Sequence, residues 1–379
     1  MWHKSQTLRQ LLCLKDIDCT AKILLTTMYS NTTFARTMIQ LEETHIRELI
    51  YHPFKMDGEE TNLNDSIYTY QDPGELETLK KIFLKPFLTN VNTFEFTHAI
   101  DVKLNVLFEL ASSIHKDGDF ISTSKQIARH LQSVSKHPNI KEGDLFIMKF
   151  DHIGLHDESY QGLGIYKIEN KENFIETNSL STENAGLQFK KGIGTKRLDK
   201  ACLIVFTEEP YTLFVIDNAP IETDYWQNEF IKLSMKNDYV NHTNQFLTLA
   251  KTFVTDQIPK DFEVSKADQI DYLNRSVDYF KTHDNFDKAE FEEAVFQDEG
   301  LITSFRRFDS AYKQENRIDI DDDFTISAQA VKKQARIFKS VLKLDKNFHI
   351  YIHGDRDLIE QGQDSDGRKY YKIYFEHES

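Results

Sequence analysis

The sequence predicts an α+β protein, and three observations carry that expectation. Segments with helical spacing fill much of residues 72–135, short strands follow one another from 144 to 217, and helical spacing returns after 223. Consecutive strands with no helix between them imply an antiparallel meander, because parallel pairing needs long crossovers. A chain of 379 residues with 40% apolar and 12% aromatic residues can bury two or three cores. The expected divisions are an extension over 1–37, an α+β domain over 38–220, a helical region over 221–323, and a basic helix with a β-hairpin over 324–379.

Residues 1–37 hold five Lys or Arg against two acids and lack a sustained period. Ordinary domain sequence, IQLEETHIRELIYHPF, begins after Met38. That residue is the expected natural start, with a flexible N-terminal arm as the other reading.

Within 38–220, Asp72-Pro73-Gly74 punctuates the chain before a helix carrying Leu76, Leu79, Ile82 and Phe83 on one side. Leu104 to Ile114 reads as a buried helix. Ser122-Thr123 is the expected cap of the next, in which Ile127, Leu131 and Val134 share a face. Five strands then follow: DLFIMKF, GLGIYKIE, ENFIETN, ACLIVFTE and YTLFVID.

In the helical region, Asn241 is expected to open a helix with Phe246, Leu249, Phe253 and Val254 inward. Ser265 with Asp268 matches a capping box before a stripe of Ile270, Leu273, Val277 and Phe280. Asp287 precedes KAEFEEAVF, and Ile302, Phe305, Phe308 and Tyr312 line another helix. The acidic turn Asp319 to Asp323 closes the region.

The last region carries the sharpest charge contrast. The chain has net charge −15, yet six Lys or Arg and one acid, Asp345, lie between Val331 and Lys346. With Ser327 as N-cap, a helix through KKQARIFKSVLK would align Lys332, Arg336, Lys339 and Lys343 in one stripe, with Lys333 beside it. Val331, Ala335, Phe338 and Leu342 would form the neighbouring apolar stripe. No acids interleave with these cations, so the stripe fits either a solvated face or an anion-binding surface. Next, alternation in FHIYIH puts Phe348, Ile350 and Ile352 inward and His349, Tyr351 and His353 outward. Gly354-Asp355 and Asp364 to Gly367 are turn signals, and RKYYKIYF returns as the second strand.

Other chemistry finds little support. His349 and His353 are about 13 Å apart on a strand, too far to share a zinc ion, so no metal or other cofactor is expected. Asp364-Ser365-Asp366-Gly367 lacks the twelve-residue ligand series of a calcium loop. Gly162-Leu163-Gly164 and Gly192-Ile193-Gly194 lack the third glycine and the strand-to-helix setting of a dinucleotide site. No nucleophile elbow occurs, and an enzyme is not expected. Three cysteines (Cys13, Cys19, Cys202) fit free thiols in a reducing compartment, and no apolar run approaches a membrane span. A cytoplasmic location with no membrane contact is expected. So acidic a chain should be repelled by nucleic acid on average, which makes any DNA contact local.

The run TISAQAVKKQARIFKSVLKLDKNFHIYIHGDRDLIEQG, with its closing YYKIYF, resembles the C-terminal region of the NdpA-type bacterial nucleoid-associated proteins. ARHLQSVSKHPNIKEGDLFIMKF, LDKACLIVFTEE, YWQNEFIKL and VSKADQIDYLNRSVDYF extend the resemblance, in order, over most of the chain after Met38. It implies a nucleoid protein that binds DNA, expected to be double-stranded, with nucleoid proteins as further partners. It brings no catalytic motif. On pattern and resemblance together, the expected phosphate contacts are Lys332, Lys333, Arg336, Lys339, Lys343 and Lys346. The same cations could instead dock an acidic partner protein that itself holds DNA, and a nucleic-acid-processing enzyme is a third alternative.

Overall fold

The computed structural model describes residues 39–379 except 57–61, 91, 178–185, 219–224, 337, 339–340, 353–355 and 378–379. The expectation about residues 1–37 therefore lies outside the described residues. In chain order the first elements are β1 (Ile39–Gln40), β2 (His45–Phe54), α1 (Pro73–Phe83), β3 (Phe94–Phe96), α2 (Val106–His115) and α3 (Phe120–Val134). Then come β4 (Gly143–Leu155), β5 (Glu158–Ile168), β6 (Glu172–Thr177), β7 (Leu187–Gly192), β8 (Lys200–Val205), β9 (Thr212–Asp217), a wide helical turn at Tyr225–Ile231, and β10 (Leu233–Met235).

The mixed α+β class is as expected, with an antiparallel sheet at its centre. Strand order is β1-β4-β5-β8-β9-β3-β10, with β2 also paired to the long β4, while β6 and β7 form a separate ribbon. Both faces of the sheet are buried. Ile147, Ile165 and Ile204 pack beneath α2, α3 and the Tyr225–Ile231 turn. Met148, Leu203 and Phe214 pack beneath α1. Burial on both faces explains why these strands read as apolar runs. The glycines of Gly162-Leu163-Gly164 belong to this packing. A Cβ on Gly164 would lie 2.5 Å from the Tyr166 ring, so the ring occupies the space that a side chain would need.

The buried sheet also holds three lysines. Lys167 on β5 is fully buried with its Nζ 2.6 Å from Glu169, 2.6 Å from the Lys141 carbonyl and over the Phe54 ring. Burial pulls the Lys167 ammonium below its usual range, and its hydrogen bond with Glu169 opposes that shift. Lys200 meets Asp217 at 2.6 Å, and Lys149 donates to Asp117 at 2.9 Å and to the Ile114 carbonyl at the end of α2.

The helical region comprises α4 (Tyr239–Thr252), α5 (Lys266–Thr282), β11 (Asn285–Asp287), α6 (Lys288–Val295), α7 (Glu299–Asn316) and β12 (Asp323–Thr325), the two short strands pairing with each other. Phe246, Phe253, Phe280, Phe291 and Phe305 interlock in its core. The capping box at Ser265 and Asp268 is present, and Asp287 caps α6. Two expected caps are corrected. Asp238 caps α4 by accepting from Val240 and Asn241, and Asp119 caps α3 by accepting from Ser122. In each case a carboxylate just upstream is the stronger acceptor for the exposed N–H groups, so the helix starts earlier.

Candidate nucleic-acid interface

The C-terminal region contains α8 (Ala328–Ala335), β13 (Val341–Leu344), β14 (Phe348–Tyr351), β15 (Ile359–Gln363) and β16 (Lys369–Ile373). Ser327 caps α8 as expected, its side chain accepting from Ala330 N. Ala330 and Val331 are buried, tying α8 to the sheet core and to the helical core respectively.

The helix is much shorter than the sequence suggested. It ends at Ala335 with Arg336 as C-cap, and Val341–Leu344 is a strand. The expected single stripe through Lys343 therefore does not exist. Leu342 matches a helical spacing from Val331, but it also alternates with Val341 and Lys343. The alternation governs, because the tight turn at Asp345, with φ of 50°, folds β14 back onto β13.

A second correction concerns pairing. The FHIY strand pairs with VLKL rather than with KYYKI, and KYYKI pairs with IEQGQ. One expected hairpin is thus two. Leu342, Ile352 and Ile359 pack with Ala267 and Ile270 of α5, with Ile350 and Tyr371 partly buried against them. Phe348, expected inward, is 63% exposed. It lies at the turn end of β14, where the hairpin has run past α5. Arg356 fastens this region to α5 through Asp268 at 2.7 Å.

The predicted cations fall in two groups. Lys332, Lys333 and Arg336 are exposed around the last turn of α8. Their spacings of three and four residues keep them on adjoining parts of one helix surface. Lys343 is exposed on β13, cross-strand from the exposed His349, and Lys346 is exposed in the turn. Lys339 lies outside the described residues. Among the described residues, none of the other five has an ion-pair partner. Lys369, exposed on β16 beside Tyr370, is a further cation of this region, carried in the sequence by RKYYK. Of the two histidines weighed as zinc ligands, His353 lies outside the described residues. Among the described residues, no group of three or more His, Cys, Asp or Glu could hold a metal ion. Nor, among them, is any helix long and apolar enough to cross a membrane.

An antiparallel sheet buried on both sides, joined to a helical region and a cation-bearing terminal unit, is the setting in which the comparison with known families falls. It places the chain among nucleoid-associated proteins. The model of the nucleoid-associated protein YejK family matches residues 50–369, and the chain belongs to that family, of which NdpA is a synonym. It is not known as a family of enzymes. A search of curated proteins finds no match.

Proposed function

We propose that this nucleoid-associated protein contacts the phosphates of double-stranded DNA through Lys332, Lys333 and Arg336 at the end of α8, with Lys343 and Lys346 on the β13–β14 hairpin. Lys339, between the two groups in sequence, completes the set. The carrying observation is that the five described cations are exposed and unpaired on a chain of net charge −15. Elsewhere many of its lysines and arginines meet carboxylates, as Lys149, Lys200, Lys288 and Arg306 do. Unpaired cations can displace condensed counterions from DNA, which supplies affinity without base preference. The protein acts by binding, without catalysis.

Binding of purified protein to duplex DNA should weaken steeply with salt, with a log–log slope of about −4 to −5 for four to six phosphate contacts. No binding at low salt would overturn the reading. It would favour the second one, in which these cations dock an acidic partner protein. That alternative draws support from Phe348 and Tyr351, which are 63% and 66% exposed beside Lys346 and Lys343, since aromatic residues among cations also suit a protein interface.

A further inference from the structure

A cleft of about 710 Å³ opens where β10, α4, the end of α7 and α8 meet. Its size lies within the range of about 300–1,000 Å³ typical of small-molecule sites. Its lining is chemically unusual, because seven carboxamides face it, among them Asn92, Asn244, Gln245 and Gln334. Gln334 donates to Asn244 at 3.3 Å and Asn244 to Asn92 at 3.4 Å, a chain of long hydrogen bonds along one wall. Asn241, 1% exposed, donates to Thr93 and to the Lys236 carbonyl, but its Oδ1 is buried without a partner. A buried acceptor without a donor is costly, so this wall is set for one more donor. At the rim, Arg317 ends α7 in the left-handed conformation, with φ of 54° and no ion-pair partner among the described residues. Tyr312 adds an aromatic ring.

We infer that this cleft binds a nucleotide, with Arg317 on the phosphate and the carboxamides on the base edge. A carboxamide presents a donor and an acceptor side by side, which matches the paired edge of a nucleobase, adenine above all. The planar guanidinium matches a phosphate in the same two-pronged way. Tyr312 offers a face on which a base can stack. An acidic peptide is less well served, because Asp319 stands in the same lining and offsets one of its two cations, Lys236 and Arg317. The nucleotide can be free or the phosphorylated end of a single strand. The inference is independent of the duplex contact proposed above, since Lys332, Lys333, Arg336, Lys343 and Lys346 are not in the lining.

Calorimetric titration of the full-length protein tests it, with adenosine monophosphate, adenosine, a short 5′-phosphorylated single strand and an acidic peptide as probes. Adenosine monophosphate should bind one to one. Arg317→Asn keeps a residue that tolerates the left-handed backbone, and it should weaken that binding about ten- to hundredfold while leaving adenosine unaffected. Gln245→Leu keeps the helix and should weaken both ligands. Competition by the single strand assigns a strand end as the source, and its absence assigns a free nucleotide. Thermal melting checks that each variant is folded. No binding of adenosine monophosphate, binding indifferent to both substitutions, or binding of the acidic peptide alone would overturn the inference.

Discussion

Lysine occupies two opposite settings in this chain. In the central sheet Lys149, Lys167 and Lys200 are almost wholly buried, and each meets a carboxylate. In the C-terminal region Lys332, Lys333, Lys343 and Lys346 stand in solvent with no such partner among the described residues. The first group is committed to the fold, because a buried ammonium must be paired where it lies. The second group adds nothing visible to folding and has its charge available to a partner. Counting cations along the sequence cannot separate these roles. Lys167 sits in IYKIEN as unremarkably as Lys343 does in VLKLDK.

The largest test of this contrast is Glu169→Leu. It strands the Lys167 ammonium in the core, and unfolding free energy should fall by about 3–5 kcal/mol. The paired change Lys167→Met with Glu169→Leu should recover most of that loss, as measured by denaturant unfolding. The pH dependence has a definite sign. Burial already holds the Lys167 pKa below its unfolded value, and removing Glu169 lowers it further. Between the variant's value and the parent's, only the variant's folded state has lost the proton that the unfolded chain still binds, so the deficit of the single variant should shrink as pH rises through that window. A single variant as stable as the parent would mean that Lys167 does not depend on its partner.

The exposed group predicts the reverse behaviour. Changing Lys332, Lys333, Arg336 and Lys343 together to Gln should leave the melting temperature within a degree or two, because none is buried. Affinity for all duplex sequences should fall alike, and the salt slope should shrink by about 3 to 4. An unchanged slope in a folded variant places the DNA surface elsewhere. If the variant melts early instead, these cations belong with the structural lysines and the contrast fails.

What was legible in the sequence follows from the range of the forces involved. The stripe of Ile270, Leu273, Val277 and Phe280 and the box at Ser265 and Asp268 are local patterns, and both hold. Four of the five meander strands were legible because burial on both faces leaves unbroken apolar runs, whereas ENFIETN is exposed and pairs with β7 outside the central sheet. Region 331–344 was misread because Leu342 continues the helical spacing of Val331, Ala335 and Phe338 although it lies on a strand. Tertiary contact decides between helix and strand, as Leu342 packs with Ala267 and Ile270. The pairing of β15 with β16 was missed because IEQGQ is polar and its glycine suppresses a strand signal. That glycine is covered by the Tyr370 ring, whose atoms lie 2.3 Å from where a Cβ would be. Of the site, the residue types were legible, but their division between a helix end and a hairpin was not.

Acid also loads the sheet region, through its buried histidines. His52 accepts from the Asn64 N–H at Nδ1 and pairs with Ser124 through Nε2, and burial lowers its pKa to about 4. Burial also lowers His115 and His130. The unfolded chain protonates these rings near pH 6.5, so stability should decline as pH falls from about 6.5 towards about 4. His52→Gln should flatten part of that decline. A denaturation midpoint that does not move across this window in the parent protein would contradict the burial of these rings.

The smallest expected effect lies at the seam between the two settings, where Arg356 reaches Asp268. Burial raises the Asp268 carboxyl, but hydrogen bonds from Ser265 and the Arg356 guanidinium outweigh it and hold the carboxyl below its usual value. Both side chains of the pair remain partly exposed, so Arg356→Gln should cost no more than about 1 kcal/mol. The stabilisation is present above the ordinary carboxylate value of about 3.9 and is lost as pH falls through the lowered one. The penalty should therefore vanish in strong acid. Global melting will barely register it. Amide exchange should register it, because Ile359, the neighbour of Arg356 on β15, docks on α5 in a small cluster with Leu342 and Ile352. Faster exchange confined to β15 and β16 would show that this ion pair holds the terminal hairpin to the helical region. Unchanged exchange would show that apolar contact alone holds it, and the C-terminal region would then owe none of its position to its charges.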